Sequence, residues 1–241
     1  MGSEADRIEQ SASWYVEEQL DVDIRLIRYR YRTIRPHLRG PAGLELGPAD
    51  GQMTRFLVDD FDRLTVVDGS SDLLARVEDR PNLEKVHALF EEFDPEDRFD
   101  TVILEHVLEH VAEPVELVRR ASNWLAPSGR LIVGVPNGNS LHRLAATKMG
   151  LLADPCDLNE RDHTLGHRRV YTWATLRADL EEAGLTVVHT DGVFIKPLSN
   201  GQLQATWTEE MFEGFYELGR DLPELAAEIV MIAERRPDDD G

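Results

Sequence analysis

Apolar positions along the chain follow two rhythms. Short runs such as Leu64-Thr65-Val66-Val67, Thr101-Val102-Ile103-Leu104 and Leu131-Ile132-Val133-Gly134-Val135 carry almost no charged residue. Strands buried on both faces read this way, as in a mainly parallel sheet. Between them lie segments whose apolar residues recur at helical spacing. The pattern predicts strands over 42–47, 64–68, 83–88, 99–104, 130–135, 185–190 and 227–234. It predicts helices over 52–60, 71–78, 114–125, 139–149, 172–183 and 208–219. Strands alternating with helices predict an α/β fold with a doubly wound sheet. Ser71 is read as a helix N-cap and Pro114 as a first-turn residue, while Pro127-Ser128-Gly129 stops one helix before the next strand.

Two segments stand outside this alternation. Residues 13–38 carry Trp14, Tyr15, Leu20, Val22, Ile24, Ile27, Tyr31 and Ile34 at helical spacing, preceding the first strand. The same segment holds Arg25, Arg28, Arg30, Arg32, Arg35 and Arg39. Pairing with neighbouring acids is the commoner use of such a face, and contact with an anionic ligand the other. Residues 150–171 are polar, long and without clear period, as functional or disordered insertions are. Residues 1–12 and the acidic tail from Pro237 are expected to be frayed. The whole is read as one domain over 1–241. It has an N-terminal helical segment (1–40), a core (42–234) and the insertion (150–171).

The first strand ends in Gly43-Leu44-Glu45-Leu46-Gly47-Pro48-Ala49-Asp50-Gly51. Small residues at such a turn let backbone N–H groups and a ligand approach closely. About 20 residues on, the second strand ends in Asp68, placed to hold a ribose diol. The pair points to a nucleoside cofactor. It is not a dinucleotide fingerprint, because Ala49 and Gln52 stand where glycines are required. It is not a phosphate-binding P-loop, because no Gly-Lys pair occurs.

Charge and cysteine count narrow the partners. The formal charge of −20 argues against nucleic acid, whose phosphates call for a basic face, and against an anionic membrane surface. The apolar runs are too short to span a bilayer, and the acidic N-terminus lacks the apolar stretch of a signal peptide. A cytoplasmic location is therefore expected. The single cysteine, Cys156, excludes an internal disulfide and a cysteine-based zinc site.

Further runs now take on meaning: Val67-Asp68-Gly69-Ser70, then Phe99-Asp100-Thr101-Val102-Ile103-Leu104-Glu105-His106-Val107-Leu108-Glu109-His110-Val111. Leu125-Ala126-Pro127-Ser128-Gly129 and Val135-Pro136-Asn137-Gly138-Asn139 follow. In this order, over residues 42–234, they resemble class I S-adenosylmethionine-dependent methyltransferases, and among these the small-molecule enzymes of the ubiquinone-biosynthesis type. The resemblance implies a Rossmann-like seven-stranded sheet whose last strand is antiparallel. It implies S-adenosylmethionine as cofactor, held at Glu45, Gly47 and Ala49 (methionine part), at Asp68, Gly69 and Ser70 (ribose and adenine) and against Leu89 or Phe90. Glu105 and His106 would line the methyl-transfer region, and Tyr15 would sit on a lid over the cofactor. The Asn/Asp-Pro-Pro-aromatic sequence of many nucleobase and amide N-methyltransferases is absent, which lowers the odds of DNA methylation.

Methyl transfer from a good leaving group needs alignment above all, plus a base when the acceptor is a hydroxyl. His167, His163 and His106 are the candidate bases. Arg168, Arg169 and His110 are candidate substrate contacts, since guanidinium matches carboxylate or phosphate. His106 and His110 would share a helix face and could hold a metal. Packing of Leu108 and Val111, with His110 bonded to backbone, is the favoured reading, and no metal is expected. The expected activity is methyl transfer to a hydroxyl, or second to an amine, of a small polar metabolite of the natural-product or sugar kind. The enzyme would act as a monomer or homodimer. A non-catalytic subunit would keep Glu45 and Asp68 yet show no turnover. A nicotinamide-dependent oxidoreductase is disfavoured by the glycine spacing.

Overall fold

The computed structural model describes residues 20–236; Trp14, Tyr15 and the C-terminal tail lie outside the described residues. Seven strands form one sheet: β1 (Ala42–Leu46), β2 (Arg63–Asp68), β3 (Leu83–His87), β4 (Phe99–Glu105), β5 (Leu125–Pro136), β6 (Leu185–Val193) and β7 (Glu228–Arg235). Their order is β3-β2-β1-β4-β5-β7-β6. The first five strands pair in parallel, and β7 runs antiparallel to both β5 and β6. The Rossmann-like α/β architecture with an antiparallel last strand is thus present. The order reverses between β1 and β4, both of which end at the same edge of the sheet. Ligands of open α/β sheets bind at such a switch point.

Alternate residues of the central strands supply two apolar layers. Val102 and Leu104 with Leu131, Val133 and Val135 face one layer, covered by α4 (Pro114–Trp124) and α7 (Trp173–Glu182). Val66, Ile103, Ile132 and Val230 face the other, covered by α1 (Asp21–Ile34) and α9 (Glu209–Asp221). In α1, Val22, Leu26, Tyr29 and Thr33 are buried, one stripe at helical spacing. The Tyr29 ring stacks on Tyr216 of α9 at 4.5 Å between centroids. The arginines in and just after α1 mostly meet acids: Arg32 donates to Glu213 at 2.7 Å, and Arg35 to Asp60 at 3.1 Å. Arg30 meets its acids, Glu105 and Glu228, inside the cavity described below.

The structure differs from the pattern-based boundaries in several places. The helix after β1 is one turn, α2 (Thr54–Leu57), and that after β2 is α3 (Ser71–Leu74). The cap of α3 is Ser70, whose Oγ accepts from Leu73 N, one residue before the expected Ser71. β5 starts at Leu125, because Pro127–Gly129 forms a bulge and not a stop: Phe99 pairs with Leu125, then Thr101 with Arg130. Beyond α5 (Leu141–Lys148), the insertion contains a short helix, α6 (Glu160–Thr164), and the stretch near 200, to which the pattern assigns no element, contains α8 (Asn200–Thr206).

Candidate active site

At the end of β1 the chain turns through three left-handed residues in quick succession: Gly47 (φ 67°), Ala49 (φ 48°) and Gly51 (φ 82°). A side chain at Gly47 would place its Cβ 3.2 Å from Val107 and 3.7 Å from the Phe90 ring. Glycine there keeps the turn open beside two apolar walls. Glu45, buried at the strand end, accepts from Thr54 Oγ1 at 2.7 Å. Burial pushes its carboxyl up to about 8, Thr54 opposing. On the adjacent strand Asp68 is buried and accepts from Ser70 N at 2.9 Å, and Ala88 N bonds Asp68 O at 3.1 Å. The β3 end thereby brings half-buried Leu89 and Phe90 next to Asp68 and Gly47. A strand-end carboxylate, a turn opened by a glycine and an apolar ring at the ends of neighbouring parallel strands fit a nucleoside with an amino-acid arm.

Beside this turn lies a cavity of about 360 Å³, lined by the 47–53 turn, α1, the ends of β4 and β5, and the insertion. Its polar groups come from the whole length of the chain: Asp23, Arg30, Glu105, His106, His110, His142, Arg143, Arg161, Asp162, His167, Lys196 and Glu228 all reach it. The Glu105 side chain is only 6% exposed, and neither carboxylate oxygen has a hydrogen-bond partner. Arg30 Nε lies 3.9 Å from it and 3.5 Å from Glu228, at ion-pair and not hydrogen-bond geometry. Burial pushes Glu105 up to about 7 against the pull of Arg30 and His106. Buried polar groups are normally satisfied, so orphaned ones on a cavity wall await a ligand's donor.

After β4 the chain reverses at His106, whose backbone is left-handed (φ 56°) and whose N–H bonds Gly134 O at 2.9 Å. Residues 106–110 form a turn, not a helix. Strain of this kind gathers at functional sites. His106 sits between carboxylates, Nδ1 3.2 Å from Glu109 and Nε2 3.5 Å from Glu228. Burial and Arg30 press its pKa down, but the two carboxylates win and raise it to about 9. Glu109 is fully buried; its burial cost is outweighed by the His106 contact, and its pKa falls to about 2. His167 Nδ1 faces Asp162 Oδ1 at 3.1 Å. Asp162 is fixed by Asn159 N (2.9 Å) and Arg143 (3.2 Å). Burial alone pushes up the Asp162 carboxyl, but His167, Asn159 and Arg143 hold it well below the usual range.

Of the residues expected from sequence, His106, His110 and His167 line the cavity, with Glu45, Gly47, Ala49 and Glu105. His163 is exposed and does not line it. Nor do Arg168 and Arg169, which bind the turn after β4. Arg168 donates to His110 O at 2.7 Å, and Arg169 donates to Leu108 O and Val111 O at 2.7 and 2.6 Å. Tyr15 lies outside the described residues. Sequence reasoning did not single out Glu228 or Lys196, whose places depend on strand order and loop path; Arg30 figured only within the arginine cluster, and Asp162 only as a hydrogen-bond partner for the insertion's histidines.

A family model described as a methyltransferase domain matches residues 18–190. The chain belongs to that family, the class I S-adenosylmethionine-dependent methyltransferases. Residues of this methyltransferase are 32% identical, over 104 positions, to the ubiquinone biosynthesis O-methyltransferase of Aeromonas salmonicida. That match spans 43% of this chain and 42% of the relative. Among solved structures, the N-methyltransferase NodS of Bradyrhizobium japonicum, in complex with S-adenosyl-L-homocysteine, superposes with a TM-score of 0.60 at 16% identity, over 97% of this chain and 98% of that one. The Burkholderia thailandensis 1,6-didemethyltoxoflavin-N1-methyltransferase gives 0.62 at 19%, over 98% and 91%. At such identities the methyltransferase shares a fold with them. Its cofactor is S-adenosylmethionine. No helix among the described residues is long and apolar enough to cross a membrane.

Proposed function

We propose that the enzyme methylates a hydroxyl of a small polar acceptor bound in the cavity between α1, the β4 end and the insertion. Glu105 carries this reading: a nearly buried carboxylate beside the Gly47 turn, with both oxygens unpartnered and a pKa near neutrality. A group of that pKa suits a general base at pH 7. Bound S-adenosylmethionine, held at Glu45, Gly47, Asp68 and Phe90, supplies an electrophilic sulfonium methyl. Glu105 accepts the acceptor's proton, and the oxygen lone pair forms the new O–C bond as the methyl–sulfur bond breaks, its electrons leaving on the sulfur of S-adenosylhomocysteine. His106, protonated between Glu109 and Glu228, keeps positive charge beside that carboxylate. Arg30 and Lys196 hold acceptor oxygens.

A tritiated-methyl assay over a panel of catechols, polyols and amines, run on wild type and Glu105→Gln, tests this. The variant should lose about 100-fold in kcat, with S-adenosylhomocysteine affinity within about threefold. The wild-type rate should rise with pH through about 7. An unchanged kcat in the variant removes Glu105 as the base. Amine methylation is the second reading. Six carboxylates line the cavity (Asp23, Glu45, Asp50, Glu105, Asp162 and Glu228) against four Arg or Lys. An amine acceptor would give a pH profile following its own pKa, unaltered by Glu105→Gln.

A further inference from the structure

The turn after β4 and the insertion bring together side chains that take no proton from the acceptor, Glu109 entering the base reading only through His106. One ligating atom each of Glu109, His110 and His167 lies within 4.8 Å of the others. Glu109 is 1% exposed; His106 approaches it at 3.2 Å, but neither of its oxygens has an aligned hydrogen bond. The His110 and His167 rings meet edge to face, 4.8 Å between centroids at 83°. Each imidazole is oriented through one nitrogen. His167 Nδ1 is held by Asp162 at 3.1 Å, and His110 bonds the Gly166 backbone. A ring N–H donated to a carboxylate or a carbonyl, with the other nitrogen left over, is how metal-bound histidines are fixed.

We propose that Glu109, His110 and His167 bind one divalent first-row transition-metal ion at the floor of the cavity. Two imidazoles and a carboxylate suit zinc, cobalt, manganese or iron; the nitrogen ligands disfavour magnesium and calcium. Three protein ligands leave coordination positions open. His110 and His167 line the cavity while Glu109 lies behind them, so the open side faces the acceptor. The sequence pattern offers a metal only the His106–His110 pair on one helix face, and favours packing with His110 bonded to backbone over it. The chain turns instead, and the third ligand arrives from the insertion, nearly 60 residues away.

The ion's use rests on the reading above. An acceptor hydroxyl bound to the ion would become more acidic, its proton would pass to Glu105, and its oxygen would keep the electron pair for the bond to carbon as the methyl–sulfur bond breaks and S-adenosylhomocysteine leaves. The ion thus selects acceptors that offer an oxygen, or two adjacent oxygens, to the metal.

The test uses full-length protein stripped with EDTA and titrated with CoCl2, read by visible absorption, with S-adenosylhomocysteine binding measured on the same samples. One cobalt per chain is expected, with a d–d spectrum and micromolar affinity. Glu109→Gln and His167→Ala should each weaken it at least 10-fold. His189→Ala should leave it unchanged, although His189 pairs with His37 on the surface, rings 4.2 Å apart. Circular dichroism and retained S-adenosylhomocysteine binding show that the variants fold. No cobalt binding, or binding lost only in His189→Ala, overturns the proposal while leaving the cofactor site standing. Cobalt binding without turnover on any acceptor would instead leave the metal site and remove the function it is given.

Discussion

At the scale of single residues the site depends on what is missing as much as on what is present. Gly134 in β5 leaves space for the Glu105 carboxylate: a Cβ there would lie 2.2 Å from Glu105 Oε1. Gly134→Ala should push that carboxylate off the cavity wall without touching the cofactor turn. We expect a kcat loss similar to that of Glu105→Gln, unchanged S-adenosylhomocysteine affinity and a stability change within about 1 kcal/mol. Full activity in the alanine variant would mean that Glu105 acts from another position. The turn at Gly47 and the strand end at Asp68, where the cofactor is proposed to bind, were legible because each is marked by its own neighbours. The acceptor side was not. Arg30, Lys196 and Glu228 are ordinary surface residues in a linear reading; only the sheet order puts them on one wall.

At the scale of elements, hydrophobic rhythm located the strands to within a few residues because their burial is two-sided. It failed where polar contacts do the ordering. In α8, Leu203 is fully buried, and the helix is set by its cap: Ser199 N and Oγ both donate to Gln202 Oε1. Asn200 then ties the helix to α1 through Asp23 at 2.5 Å. The insertion works the same way. Arg143 of α5 is buried, donates to Pro155 O at 2.6 Å and to Asp162 at 3.2 Å, and also bonds Asp157 O. One guanidinium therefore holds both ends of a segment with no apolar period. Arg143→Ala leaves the Asp162 carboxylate without its guanidinium, with His167 and Asn159 N still on it. Breaking a buried pair in this way costs about 3 kcal/mol. Limited proteolysis should then cut within residues 150–165 well before the wild type is cut. Turnover should fall with the loss of His167's support, while S-adenosylhomocysteine still binds. Equal proteolytic resistance would show that the insertion is held by something other than Arg143.

For the whole molecule, the buried acids and histidines tie stability to pH, and their signs compete. Glu45 and Glu105 are raised to about 8 and about 7, chiefly by burial, and His106 to about 9 by its carboxylates despite burial. Each holds a proton in the folded state that the unfolded chain gives up earlier. Their contributions are present below the ordinary pKa and lost as pH rises through the folded one. His110 and His142 act oppositely. Burial first, then neighbouring positive charge, lowers them to about 4 and about 2, so the stability they confer is present above pH 6.5 and lost as pH falls. Lys196, lowered by burial to about 8, opposes the acids only above that pH. Between pH 6 and 8 the acids and His106 therefore dominate. Folding stability should fall there by about 1 kcal/mol per pH unit, and turn over on the acid side where the two histidines take protons. Thermal melts of metal-free protein from pH 5 to 8.5 at constant ionic strength measure this. Constant salt matters because a chain of formal charge −20 is destabilised by its own repulsion, which salt screens. Glu45→Gln should flatten the decline, since it removes a proton that only the folded state retains. A melting temperature rising from pH 6 to 8 would mean that the strand-end carboxylates are solvated, and with them Glu105 would lose its fitness as a base.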